Sequence, residues 1–272
     1  MSIQLSKNTF FVDRTVFGNT FPELKGDRLR IYLLMYRVVG TNPNGSFFMS
    51  LDSTAKEVNI SMKLTRNAIE WLCRNFFIKN VGRRCQVNVY KVLVVPPDYH
   101  LPTDTYYSNE QIQRDRVTMK NTQNGYCELP IEVMQGSILR NHTKWTDRRV
   151  KLLGQLYLYH WIDIYGGVDP EAAHFKNNTM HISELLTYTL GCHTNDIKHI
   201  VKWLQRERYL TRVKTIYREN QNSCHKELQF IGDAIKTNQQ PGDVLVDVIR
   251  LTCIPDLKLN DAQNRTGGKI SV

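Results

Sequence analysis

The chain has 272 residues, with 36 Lys and Arg against 26 Asp and Glu, a net charge of +10. Its 41% apolar and 23% charged residues describe a soluble globular chain with core enough for one large or two modest domains. The first 25 residues lack the apolar run of a secretory leader, and the longest clean apolar run, Val92–Val95, falls far short of the roughly 20 residues a bilayer requires, so no membrane partner and a cytoplasmic location are expected.

NTFFVDRTVFGNTFPELKGDRLRIYLLMY (8–36) has a loose cadence of an extended piece, a proline, a short helix and a first long helix, and DRLRIYLLMYRVV (27–39) carries a helical apolar pattern. The turn TNPNG and a short extended run, Ser46–Ser50, come next. A brief helix over about Ser53 to Val58 precedes the turn Asn59-Ile60-Ser61. Ser61 is placed to cap the following helix, because its hydroxyl can accept from an otherwise unpaired backbone N–H two or three residues on. That helix is predicted over Met62 to Asn75, with Leu64, Ala68, Ile69 and Leu72 as its apolar stripe and Lys63, Arg66, Asn67, Glu70 and Arg74 off it. The β-rich segment FFIKNVGRRCQVNVYKVLVV (76–95) then predicts a hairpin bent at Gly82 with an Arg-rich tip.

Residues 96–125 are polar and turn-rich, with a short helix expected at Asn109–Val117. Beyond them, YCELPIEVMQGSILRNHTKW (126–145) has the cadence of an extended piece, a proline and a short helix, followed by a long helix over 146–165. Cys192-His193-Thr194 opens another basic helix, and residues 212–231 predict a second hairpin with a polar tip at Asn220–Ser223. The last residues, 259–272, read as a disordered tail.

Residues 51–81 align without a gap on 183–213, an offset of 132. Trp71/Trp203, Leu72/Leu204, Arg74/Arg206 and Val81/Val213 coincide, and the apolar phase is kept throughout. Two copies of one unit follow, with nine extra residues in the second between its first long helix and the rest. The expected division is a first domain at 1–97, a linker at 98–121, a second domain at 122–238, and a C-terminal segment with the tail at 239–272.

The order helix, strand, helix, helix, two strands, together with ISMKLTRNAIEWLCRNFFIKNV (60–81), resembles the winged helix-turn-helix of GntR- and MarR-like proteins. The matching positions are Ser61, Leu64-Thr65, Arg66, Ala68-Ile69, Leu72 and Phe77-Ile78; Phe76 departs, standing where the family usually has a helix-ending glycine. The resemblance implies an α+β, helix-rich fold with two winged helix-turn-helix domains in tandem. The arrangement is also similar to that of plasmid and phage replication initiators.

Charge position agrees with that resemblance. Residues 62–91 carry seven Lys and Arg against Glu70, and residues 194–226 carry eight against three acids, so the basic excess sits in the two helix-plus-hairpin segments. A solvated face would explain one such run, but two at matching places favour a polyanionic partner, double-stranded DNA. Lys63, Arg66 and Asn67 present donors suited to base edges, with Ser61 at the helix start. The second copy offers Asn195, Lys198 and His199, with Thr194 and Lys202 nearby. Arg83 and Arg84 in the first hairpin, and Arg218 and Lys226 in the second, are candidates for phosphate or minor-groove contacts. Trp71 and Trp203 are read as packing residues.

Six scattered cysteines without a CxxC read as reduced thiols. Cys192-His193 and Cys224-His225 fit no standard zinc spacing, so neither metal nor cofactor is expected. No P-loop, nicking-enzyme His pair or nuclease carboxylate spacing is present, so an enzyme is not expected. The sequence therefore points to a sequence-specific DNA-binding protein, nucleoid-associated through its DNA, that initiates or organises replication of a plasmid, phage or mobile element in contact with replication or transcription machinery. A transcriptional repressor and a winged-helix protein-interaction scaffold stay open as alternatives, as does a homodimer.

Overall fold

A computed structural model describes residues 4–6, 9–40, 46–93, 126–158, 173–175, 178–180, 187, 190–219 and 228–255. The fold is α+β, with several small sheets, and no described helix is long and apolar enough to cross a membrane. The chain divides into two compact units, Asn8–Leu158 and Met1–Lys7 with Tyr159–Val272.

In the Asn8–Leu158 unit, α1 (Asp27–Val39), α2 (Leu51–Val58) and α3 (Met62–Arg74) pack on one another. Local chemistry sets their ends. Ser50 accepts from Ser53 N at 3.1 Å to start α2, and Ser61 accepts from Leu64 N at 3.3 Å to start α3. Asn59, in the left-handed region at φ 58°, ends α2. The helix after Ser61 keeps its expected start and stops one residue earlier, but its buried stripe is Thr65, Ala68, Ile69 and Leu72. Leu64 was expected in that stripe and is instead 47% exposed, because Thr65 takes the inward position while hydrogen-bonding Ser61 O.

A three-stranded sheet lies beside these helices in the order β3 (Ser46–Phe48), β5 (Val87–Val92), β4 (Ile78–Arg84), all pairs antiparallel. The hairpin bend expected at Gly82 is a bulge within β4, where the register shifts between Asn80 and Gly82. The tip itself turns at Cys85 and Gln86, both at positive φ; two successive left-handed residues match the twist of the flanking strands. Phe77 joins the layers, with its ring 5.2 Å from Phe21, 5.3 Å from Tyr32 and 5.4 Å from Trp71.

The same unit contains β2 (Thr9–Asp13), paired antiparallel with β6 (Tyr126–Pro130), and the helices α4 (Ser137–Arg140) and α5 (Asp147–Leu158). The expected domain boundaries at 97 and 122 are therefore corrected, since residues 126–158 pack with the first copy. Asp147 accepts from Gly26 N at 2.8 Å and from Arg30 at 2.9 Å, which fixes α5 to the start of α1. Glu57 on α2 binds Arg37 at 2.8 Å and Arg140 at 2.9 Å, and His142 reaches Val58 O at 3.0 Å. An apolar helical stripe specifies that a helix is buried but not against which partner, so sequence pattern alone assigned α5 to the wrong domain.

The other unit contains the small hairpin β7 (Ala173–Phe175) and β8 (Asn178–Met180), then α6 (Thr194–Arg206). A sheet follows in the order β10 (Leu228–Asp233), β9 (Leu210–Glu219), β11 (Val244–Leu251). β12 (Cys253–Pro255) pairs in parallel with β1 (Gln4–Ser6). Residues 239–255, expected to lie outside a domain, thus supply two strands, and residues 4–6 belong with this unit rather than with 1–97. The expected linker and its short helix, the continuation of the long helix past 158, and the tail 259–272 lie outside the described residues.

The two copies end their basic helices alike. Phe77 N bonds Leu72 O at 3.0 Å and Phe76 N bonds Cys73 O at 3.2 Å; Tyr209 N bonds Leu204 O at 2.9 Å and Arg208 N bonds Gln205 O at 3.1 Å. Both are Schellman caps. Phe76 at φ 59° and Arg208 at φ 65° occupy the left-handed position that glycine fills more cheaply, which answers how the chain turns at Phe76 without one.

Candidate nucleic-acid interface

In α3 the residues on the buried side leave Lys63, Arg66, Asn67, Glu70 and Arg74 exposed. Their spacing of three, four, seven and eleven residues from Lys63 places them along one face. In α6 the exposed residues Asn195, Lys198, His199, Lys202 and Arg206 repeat that spacing, while Ile197, Ile200, Val201, Trp203 and Leu204 are buried. Each unit therefore presents one polar, mostly cationic helix face. The faces differ at one point of sign, Glu70 in α3 against Lys202 in α6. Glu70 lies 3.8 Å from Arg74, an exposed pair that leaves the face net cationic.

Lys63, Arg66 and Asn67 have no hydrogen-bond or ion-pair partner among the described residues, so their donors are available. Ser61 uses its hydroxyl on the cap, making it a positioning residue for the start of α3. Thr194 is half-buried, with its hydroxyl 3.4 Å from that of Thr187; it too faces its own unit. His193 is the residue before α6 and caps it without a side-chain bond.

The first hairpin adds Lys79, Arg83 and Arg84, all exposed. Arg83 donates to Asn88 Oδ1 at 3.0 Å, and Asn88 donates to the Tyr90 hydroxyl at 3.0 Å, so the hairpin surface holds this guanidinium in one orientation. Arg84 lies 5.9 Å from the Phe48 ring centroid, a cation–π contact across the sheet. Trp71 is half-buried, stacked on Phe77 with Arg28 4.3 Å above its centroid, and Trp203 is buried. Both tryptophans pack, as their matched positions suggested.

Arg218, the candidate of the second hairpin, is held by an ion pair. Arg218 donates to both carboxylate oxygens of Asp243, at 2.7 and 3.0 Å, and Gln240 N bonds the same carboxylate at 2.8 Å. The Arg218 bond, followed by that from Gln240, holds the Asp243 carboxyl below the usual carboxylate range. A guanidinium engaged in this bidentate way ties β9 to the start of β11 and keeps its remaining N–H donors, on a side chain 36% exposed, for other acceptors. The sequence separates these two residues by 25 positions, which is why their pairing left no local signal. Arg212 and Lys214, which alternate on the exposed side of β9, are further basic side chains that the sequence reading did not single out. Lys226 lies outside the described residues.

No protein-family model matches the chain, and neither the curated proteins nor the solved structures contain a match.

Proposed function

We propose that this protein binds double-stranded DNA sequence-specifically through two winged-helix modules, with α3 and α6 as the recognition helices. The observation that carries the reading is the repeated exposed face, Lys63, Arg66, Asn67 and Arg74 in one helix and Asn195, Lys198, His199, Lys202 and Arg206 in the other. A helix of this kind fits the major groove, where Arg and Lys meet guanine O6 and N7 and Asn meets adenine N6 and N7. The helix order and the β3-β5-β4 strand order around α3 support the winged-helix reading of that module. Arg83 and Arg84 on the adjoining hairpin supply backbone contacts, which position without reading sequence. In the second module that task falls to Arg212 and Lys214. Two unlike readers in one chain suit an asymmetric site of the kind found in a replication origin of a plasmid, phage or mobile element.

The test is binding of the full chain to duplexes selected from a randomised pool, followed by fluorescence anisotropy over a salt series. Log K is expected to fall with log salt by about 0.9 per phosphate neutralised. Arg66→Ala should cost about 1–3 kcal/mol on the selected site and far less on random duplex, whereas Arg83→Ala with Arg84→Ala should weaken both alike and flatten the salt slope. An affinity that barely responds to salt would sink the proposal. Footprinting then distinguishes the roles: repeated sites in one region support replication, and a single promoter-overlapping site supports repression.

A further inference from the structure

The first turn of α3 carries two large apolar side chains in water, Met62 at 43% and Leu64 at 47% exposure. Leu64 is the more informative. It was expected in the core, Thr65 takes the inward place, and Leu64 lies three residues before Asn67, so the two share one flank of the helix. On the adjoining face of the same helix the exposed cations Lys63, Arg66 and Arg74 outnumber the one exposed acid, Glu70, which pairs with Arg74 at 3.8 Å. An apolar side chain beside a net cationic face does not suit a buried protein interface, where the charges would have to be desolvated. It suits a surface that is anionic at its borders and apolar at one point, which is how a DNA major groove presents a thymine C5-methyl between its phosphates.

We propose that Leu64 is a specificity-determining residue that packs against a thymine C5-methyl, next to an adenine read by Asn67. The inference rests on the DNA-binding reading above. Asn meets adenine through two hydrogen bonds in the major groove, and the methyl of a thymine in that pair or the next projects into the same groove. Covering that methyl with a leucine removes apolar surface of both from water, a gain on the scale of one buried carbon group. The second module has Asp196 at the place matching Leu64. A carboxylate offers no apolar cover, so only one half of the bound site should depend on a thymine methyl.

The experiment uses the full chain and a duplex selected from a pool randomised over about 20 base pairs, the span of two recognition helices one DNA turn apart. The selected duplex is resynthesised with deoxyuridine replacing thymidine at one position at a time, which deletes the methyl and leaves every hydrogen-bonding group. The expected result is a roughly fourfold loss of affinity at one or two neighbouring positions, the equivalent of one buried methyl-sized group. Leu64→Ala should bind the thymidine and deoxyuridine forms equally, with its salt slope unchanged. Only the Leu64 backbone N–H serves the helix cap, so this substitution leaves the cap in place. Indifference of the wild-type chain to deoxyuridine at every position would overturn the proposal while leaving DNA binding intact, and so would undiminished methyl dependence in Leu64→Ala. Failure of the wild-type chain to select any duplex would overturn the DNA-binding reading, and this inference with it.

Discussion

Gly154 sits in the interior of α5, where helix propensity alone says that alanine should be better by up to about 1 kcal/mol. Packing says the opposite. A Cβ built on Gly154 would overlap Cγ, Cδ1 and Cε1 of Phe17, a ring with no exposed surface. Phe17 ends the short 3-10 helix Arg14–Phe17 against which α5 lies. Cys127 also donates its thiol to Gly154 O at 3.3 Å, which limits how far the α5 backbone can retreat. Overpacking a closed site costs about 1–3 kcal/mol and can exceed that when nothing yields, so it outweighs the propensity gain and leaves Gly154→Ala destabilising by about 2 kcal/mol. For a unit of this size that corresponds to a melting temperature lower by about 4–8 °C. The assay is thermal unfolding of the full chain, combined with hydrogen exchange on peptides from 9–17 and 147–158, which should lose protection together. Phe17→Leu in the Gly154→Ala background should recover part of the loss by opening space. A variant that melts at or above the wild-type temperature would refute the reasoning, and with it the assignment of α5 to the Asn8–Leu158 unit.

Two further predictions concern ion pairs. The Glu57 carboxyl is held below its ordinary range, first by the hydrogen bond from Arg37; burial opposes this, and the hydrogen bond from Arg140 adds to the lowering. A depressed folded pKa gives stability that is complete above the unfolded value of about 4.3 and is lost as pH falls through the lower folded value. Because Glu57 is partly solvated the gain is about 1 kcal/mol or less; urea unfolding should show Glu57→Gln with a shallower acid dependence than wild type, and identical acid limbs would contradict it. Arg218→Ala should let the Asp243 carboxyl rise to the ordinary carboxylate range in an NMR titration while leaving the salt slope of DNA binding unchanged. A slope reduced by about one phosphate contact would instead place Arg218 at the DNA.

What could be read from the residues was whatever short-range chemistry decides. The helix over 27–39 and the basic helix after Ser61 are specified by apolar spacing and by a serine that reaches an N–H three residues on, both within one turn of helix. The matched basic faces of α3 and α6 were legible for the same reason, because the offset of 132 residues aligns positions whose exposure is set by one helical period. Tertiary structure decided everything that depends on a distant partner. The bend in the first hairpin moved from Gly82 to Cys85-Gln86, because strand register against β5 rather than glycine placed the turn. Arg218 meets Asp243 only because the fold brings these distant residues together. Residues 126–158 joined the first copy through Arg30 with Asp147 and Glu57 with Arg140, pairs more than eighty positions apart. Local periodicity states that a face is buried or exposed; which surface covers it is a property of the whole packed chain, since many partners of equal polarity would satisfy the same stripe.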